Sequence, residues 1–171
     1  MRHALLLSTL LTATAATAGV PEKVDPAQIP YYRLLTPGIA TAGQPSSDVL
    51  PKLAALGFKT VINLRMPGED APSDERAVVE GQGLRYVHVP LTAASLSAAD
   101  VAAVEKVLGD AAAAPVLFHC ATSNRVGAVW ALVQTRKGKS LDEALAAGRE
   151  AGLTSPVLEE AVRRLAAPKA P

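Results

Sequence analysis

The chain has one cysteine, three histidines and an almost balanced charge, 17 Lys and Arg against 16 Asp and Glu in 171 residues. Each scarcity removes a class of function. A single cysteine forms no internal disulfide, so Cys120 is either an inert buried side chain or a free reactive thiol. Three histidines and one cysteine without clustered spacing make no metal site, and none is expected. A formal net charge of +1 offers no electrostatic footprint for nucleic acid. No apolar stretch after the N-terminal one approaches the roughly 20 residues needed to span a bilayer. There is no internal repeat.

The chain begins with a cationic Met1-Arg2-His3, an apolar stretch from Ala4 to Leu11 extended by alanines and threonines, and Ala16-Thr17-Ala18 ahead of Gly19. This is the pattern of a secretory signal with an Ala-x-Ala cleavage site. Residues 1–18 are therefore read as a signal peptide, and the early threonines argue against an uncleaved anchor. An exported chain, periplasmic or secreted, is expected, with no membrane span after signal removal. Cleavage would leave 171 − 18 = 153 residues and, with Arg2 gone, a formal charge of 16 − 16 = 0. That length suits one domain with an adequate core. A free thiol outside the cytoplasm is open to sulfenic acid or a mixed disulfide, so a reductant is expected to sustain it.

Residues 19–30, with three prolines and scattered charges, read as a leader into a single domain over residues 31–167. Tyr31 to Leu35 and Ile39 to Ala42 read as strands joined by a turn. A helix capped by Ser46 or Ser47, carrying Leu50, Leu53 and Leu56 and closing at Gly57, is expected next. Pro51 is tolerable there only in the first turn. Thr60 to Leu64 reads as a buried strand, the charged stretch from Glu69 to Glu80 as holding a short helix, and Arg85 to Val89 as a further strand. Ser97 with Asp100 and Ser140 with Glu143 are capping boxes, and Ser155-Pro156 opens a last helix. Strands alternating with helices give an α/β fold, a mostly parallel central sheet flanked by helices.

The most informative stretch runs from Pro115 to Gly127. Val116-Leu117-Phe118 suits a buried parallel strand, while Val126, Val129, Trp130 and Val133 recur at helical spacing. Cys120 therefore falls on a strand-to-helix turn, where unpaired N–H groups and the positive end of the helix dipole hold an oxyanion. The same field favours a thiolate, since cysteines at helix N-termini beside cations have pKa values lowered to roughly 3.5–7.5. Arg125 adds a planar fork of donors for two phosphoryl oxygens. Its charge opposes the helix dipole in the first turn, and an anion lying between the two explains its presence.

His-Cys followed by Arg at such a turn resembles the cysteine-dependent phosphatases of the protein-tyrosine and dual-specificity type. The chain is most similar to an atypical bacterial branch, the phosphatase-like domain found alongside β-lactamase-like hydrolases. The resemblance covers about Tyr31 to Leu165. Thr41-Ala42-Gly43-Gln44-Pro45 and Thr60-Val61-Ile62-Asn63-Leu64-Arg65 are secondary matches. It implies a protein-tyrosine-phosphatase-like fold and a Cys120 thiolate that attacks a phosphomonoester to form a cysteinyl-phosphate. Arg125 and the loop formed by Ala121, Thr122, Ser123 and Asn124 would hold the phosphoryl group, and His119 would orient the loop. The general family pattern has five residues between cysteine and arginine, a glycine within the loop and a hydroxyl after the arginine. Here there are four, no glycine, and Val126.

The resemblance also implies a general acid, worth about 10²–10⁴-fold, after the strand that ends at Val89. The residues there, Pro90-Leu91-Thr92-Ala93-Ala94-Ser95, carry no carboxylate, and the helix cap claims Asp100. Glu69 and Asp70, with Asp74 further off, are the alternatives, against the competing reading of a solvated acidic loop. Asp70 is the expected acid. Ser123 and Asn124 read equally well as phosphate ligands or as ties to the surroundings, Arg65 as a rim residue or a partner of the acidic segment, His88 as a core or rim residue, and Trp130 as core.

The expected function is phosphomonoester hydrolysis by a monomer without cofactor or metal, acting on a phosphorylated protein or a small phosphomonoester. Two alternatives stand beside it. One is a non-catalytic phosphate-binding pseudophosphatase. The other is a rhodanese-type sulfurtransferase, whose loop has four spacers too. Rhodaneses usually carry an aspartate where Asn63 stands and a Gly-His-Ile-Pro-Gly-Ala element that this chain lacks.

Overall fold

Five short strands and five helices are described by a computed structural model, which covers residues 20–167 apart from 22, 26 and 70–73. The strands are β1 (Arg33–Thr36), β2 (Ile39–Ala42), β3 (Thr60–Asn63), β4 (Arg85–His88) and β5 (Val116–His119). The helices are α1 (Glu75–Glu80), α2 (Ala98–Leu108), α3 (Asn124–Arg136), α4 (Leu141–Glu150) and α5 (Pro156–Ala166). The sheet order is β1-β2-β5-β3-β4. Only the β1–β2 pair is antiparallel, so the sheet is mixed and mostly parallel, flanked by helices as the alternating pattern implies. The signal-peptide reading of residues 1–18 lies outside the described residues, as does Asp70. Among the described residues no helix is long and apolar enough to cross a membrane.

β5 occupies the centre, and its neighbours run in register with it. Ala42 of β2 and Asn63 of β3 both lie opposite His119, and Asn63 also lies opposite His88 of β4. Four parallel carboxyl ends therefore finish level. The segments that follow them, Gly43-Gln44, Cys120, Leu64-Arg65 and Val89, are delivered to one edge of the sheet. Strand side chains alternate between faces. Ile62 and Phe118 pack with Val104, Val129, Val133 and Val162 of the helices on one face. Val61 and Leu117 pack with Ile29, Leu53, Phe58 and Val79 on the other.

The two capping boxes form as their sequences require. Ser97 and Asp100 cap α2 reciprocally, Ser140 and Glu143 cap α4, and the Ser155 hydroxyl caps α5 behind Pro156. The expected helix over residues 47–56 is replaced by a single 3₁₀ turn, Leu50–Lys52, and loose turns up to Gly57. Pro51 has no N–H to close an α-turn on Ser47, and no side chain caps the turn. The packed body also extends upstream of Tyr31. Val20 and Ile29 are buried in the second core, and the Tyr32 hydroxyl donates to the Pro21 carbonyl at 2.6 Å.

Candidate active site

Cys120 is the first residue past β5 and is 1% exposed. Its N–H donates to the Ala42 carbonyl at 3.3 Å, and the Ala121 carbonyl accepts from the Gln44 N–H at 3.1 Å, which fastens the loop to the end of β2. Gly43 makes this possible. A Cβ there would lie 2.8 Å from the Ala121 carbonyl oxygen. Ser123, which precedes α3, takes φ +66°, the left-handed conformation that costs an L residue roughly 1–2 kcal/mol. The turn that a loop glycine would make freely is here made by a serine.

Ser123 and Asn124 are ties to the surroundings. The fully buried Ser123 hydroxyl donates to the Ala151 carbonyl at 2.8 Å. Asn124 Oδ1 accepts from the Thr154 N–H at 2.7 Å, the Thr154 hydroxyl at 3.1 Å and the Ser155 N–H at 2.7 Å. Together they clamp the start of α3 to the α4–α5 connection. Thr122 is exposed and its hydroxyl accepts from Asn124 Nδ2 at 3.3 Å. Thr122 and Arg125 line an open depression of about 420 Å³ whose other wall is Ala93, Val157 and Leu158.

Arg125 projects from the first turn of α3 onto the carboxylate of Glu69. Nη1 donates to Oε1 at 2.5 Å and Nη2 to Oε2 at 2.7 Å. Nη1 also reaches the Leu64 and Leu91 carbonyls at 3.4 and 3.3 Å. The hydrogen bonds that Arg125 donates to Glu69 strengthen its charged form against desolvation, and its interaction with the nearby Cys120 adds to them. Those same bonds hold the Glu69 carboxyl down at about 2, with the Met66 N–H and Arg65 assisting. Glu69 is therefore an ionised partner of Arg125, not a proton donor. Arg65, 3% exposed, donates from Nε to Glu69 at 3.4 Å and from Nη1 to Gln44 Oε1 at 2.5 Å. It pairs with the acidic segment.

Behind the loop lies a polar network that the sequence reading did not anticipate. His119, with no exposed surface, and Glu75, 5% exposed, meet at 2.8 Å between Nε2 and Oε1. Gln44 Nε2 donates to the other oxygen of Glu75 at 2.8 Å. Asn63 Nδ2 donates to Glu75 Oε1 at 3.3 Å and to the Tyr86 hydroxyl at 2.8 Å. Burial works to raise the Glu75 carboxyl, but its interactions with His119, together with hydrogen bonds from Gln44 and Tyr86, outweigh it and the value falls below the usual range. Burial, with the Glu75 charge beside it, pushes the Tyr86 hydroxyl up to about 12. Asn63 in an otherwise apolar strand was the one hint of this network. Glu75 gave none, sitting in a charged stretch like any solvated residue. His88 is a half-buried rim residue, its ring 2.7 Å from the Arg65 carbonyl oxygen, and Trp130 packs with Ala147 and Ala151.

A thiol at a strand end, an arginine in the following helical turn and an anchored loop between them define a family as well as a site. Residues 31–137 match the phosphatase-like domain of the beta-lactamase hydrolase-like proteins. The chain belongs to this family. A beta-lactamase hydrolase-like protein of Xylella fastidiosa is 32% identical over 122 residues, covering 67% of this chain and 27% of that protein. The chain thus spans about a quarter of the length of the curated relatives it matches. Among solved structures, TpbA of P. aeruginosa is 25% identical with a TM-score of 0.62, covering 90% of this chain and 91% of TpbA. Tk-PTP in its active form is 22% identical with a TM-score of 0.64, covering 80% of this chain and 95% of that one. The fold is that of the protein-tyrosine-phosphatase-like enzymes. A cysteine-to-serine variant of TpbA has been solved in complex with pTyr.

Proposed function

We propose that this chain hydrolyses phosphomonoesters through a cysteinyl-phosphate. The observation that carries the reading is Arg125, held by Glu69 through Nη1 and Nη2 in the helical turn that follows Cys120. The two bonds to one carboxylate fix the plane of the guanidinium beside Cys120, where it can grip a phosphoryl oxygen. The Cys120 thiolate attacks phosphorus, the bond to the leaving oxygen breaks, and that oxygen takes a proton from solvent or from Asp70, the proposed donor. Water then attacks the cysteinyl-phosphate, releasing inorganic phosphate and restoring the thiolate. Arg125 and the unpaired N–H groups of the first turn of α3 spread the charge that develops on the equatorial oxygens.

The apolar wall of Ala93, Val157 and Leu158 beside Arg125 favours an aryl phosphate, which agrees with pTyr on TpbA. The cationic and apolar start of the chain supports a setting outside the cytoplasm, and a monomer is proposed. Hydrolysis of an aryl phosphate by the reduced protein over a pH series, beside Cys120→Ser, tests the reading. Turnover lost in the variant and blocked by vanadate is the expected result. No turnover in the wild type overturns it. With phosphate still bound, that outcome would favour a non-catalytic phosphate-binding module, a reading supported by the lack of a carboxylate in residues 90–95.

A further inference from the structure

We infer that Glu75 is a positioning residue for Cys120, acting through His119, whose ring it holds doubly protonated beneath the nucleophile. The inference rests on reading Cys120 as the nucleophile. Its evidence is the geometry of one buried ring. His119 Nε2 faces the Glu75 carboxylate at 2.8 Å and Nδ1 faces the Cys120 carbonyl oxygen at 3.4 Å. A carboxylate and a carbonyl both only accept. A neutral imidazole has one donor, and would turn its remaining lone pair against one of these oxygens. The doubly protonated ring donates to both.

A buried cation without a partner is costly, and one that is paired and hydrogen-bonded is sustained. Glu75 is the counter-ion, itself fixed by Gln44 and Asn63 at 2.8 and 3.3 Å. The groups that face the pair come from every neighbouring element. They are Gln44 after β2, Asn63 on β3, Tyr86 on β4, and Arg76 of α1, which lies 4.8 Å over the Tyr86 ring. Arg65 reaches the pair through Gln44, and the His88 ring faces the Arg65 carbonyl. Arg125, paired with Glu69, also interacts with Cys120. The His119 proton on Nδ1 thus orients the peptide of the nucleophile, and its positive charge, on the residue next to Cys120 in the chain, favours the thiolate.

Alkylation of Cys120 by iodoacetamide across a pH series, followed by intact mass on the full chain, tests this. Glu75→Gln keeps the size and removes the counter-ion, so the ring gives up a proton and the alkylation midpoint rises. Below that midpoint alkylation slows about tenfold, the equivalent of one pH unit. Glu75→Asp recovers at least half of the shift. A Glu75→Gln profile that superimposes on the wild type or moves down overturns the inference, as do equal shifts in the two variants. Nitrogen-15 spectra of the histidine rings need no variant. Both nitrogens of His119 protonated at pH 7 is the expected result, and a neutral ring overturns the inference even if Glu75→Gln fails to fold. Neither measurement uses turnover, so failure of the phosphatase reading appears separately, as absent aryl phosphate hydrolysis.

Discussion

Arg125 and Glu69 meet fork to fork, with two near-parallel hydrogen bonds of 2.5 and 2.7 Å, although they come from α3 and from the loop after β3. Bidentate pairs of this kind fix a guanidinium in its plane as well as neutralising it. Glu69→Gln keeps one acceptor and loses the fork. A drop of about tenfold in kcat/KM for an aryl phosphate, ~1.4 kcal/mol of transition-state stabilisation, is expected from a wandering Arg125. A rise in kcat/KM would show instead that Glu69 competes with substrate for the arginine.

The same pair makes stability depend on acid. Glu69 is depressed from an ordinary carboxyl value to about 2, so the folded state binds its proton less readily than the unfolded chain. Its contribution is present above the unfolded value and is lost as pH falls through about 2. Thermal melts from pH 6 to pH 2 should show a steeper loss for the wild type than for Glu69→Gln. Parallel curves would mean that solvent screens the pair.

Asn124 separates folding from anion binding. Its Oδ1 accepts three hydrogen bonds from Thr154 and Ser155, and Asn124→Leu strands those donors at about 1–3 kcal/mol. Asn124→Asp retains the acceptor, so its melting temperature should stay close to wild type. Its new charge beside Arg125 should weaken inorganic phosphate binding, measured by calorimetry on the Cys120→Ser background, by several-fold.

Gly127→Ala should be among the most destabilising single changes. A Cβ there would sit 2.4 Å from the Leu153 N and 2.5 Å from the Gly148 carbonyl oxygen, both backbone atoms that cannot turn aside. The α3–α4 approach must open, and a loss of more than about 2 kcal/mol is expected. Denaturant unfolding of the variant checks this, and a midpoint unchanged from wild type would contradict the tight crossing.

Wherever the deciding physics is local, the sequence was legible. The Ser97–Asp100 and Ser140–Glu143 capping boxes, the Ser155-Pro156 helix start and the buried runs of β3 and β5 follow from residues within four positions of one another. The turn that carries Cys120 and Arg125 follows in the same way. The 47–56 segment shows the limit of such reading, because leucines at helical spacing did not outweigh the missing N–H of Pro51. Ser123 is a second case. Nothing in its neighbours announces a left-handed serine, whose hydroxyl is held by Ala151 on a later connection.

By itself the sequence determined that a thiol and an arginine share one strand-to-helix turn in an α/β domain, because apolar period, capping and turn chemistry are short-range. Only the tertiary structure decided which carboxylates serve them. Glu69 and Glu75 lie in the same acidic stretch, Glu69 read as an alternative acid and Glu75 carrying no signal at all. Yet one forks onto Arg125 and the other is buried under His119, because the register of β2, β5, β3 and β4 brings four strand ends level. Strand register is a long-range choice, set by which faces bury together, and no local pattern of charge encodes it.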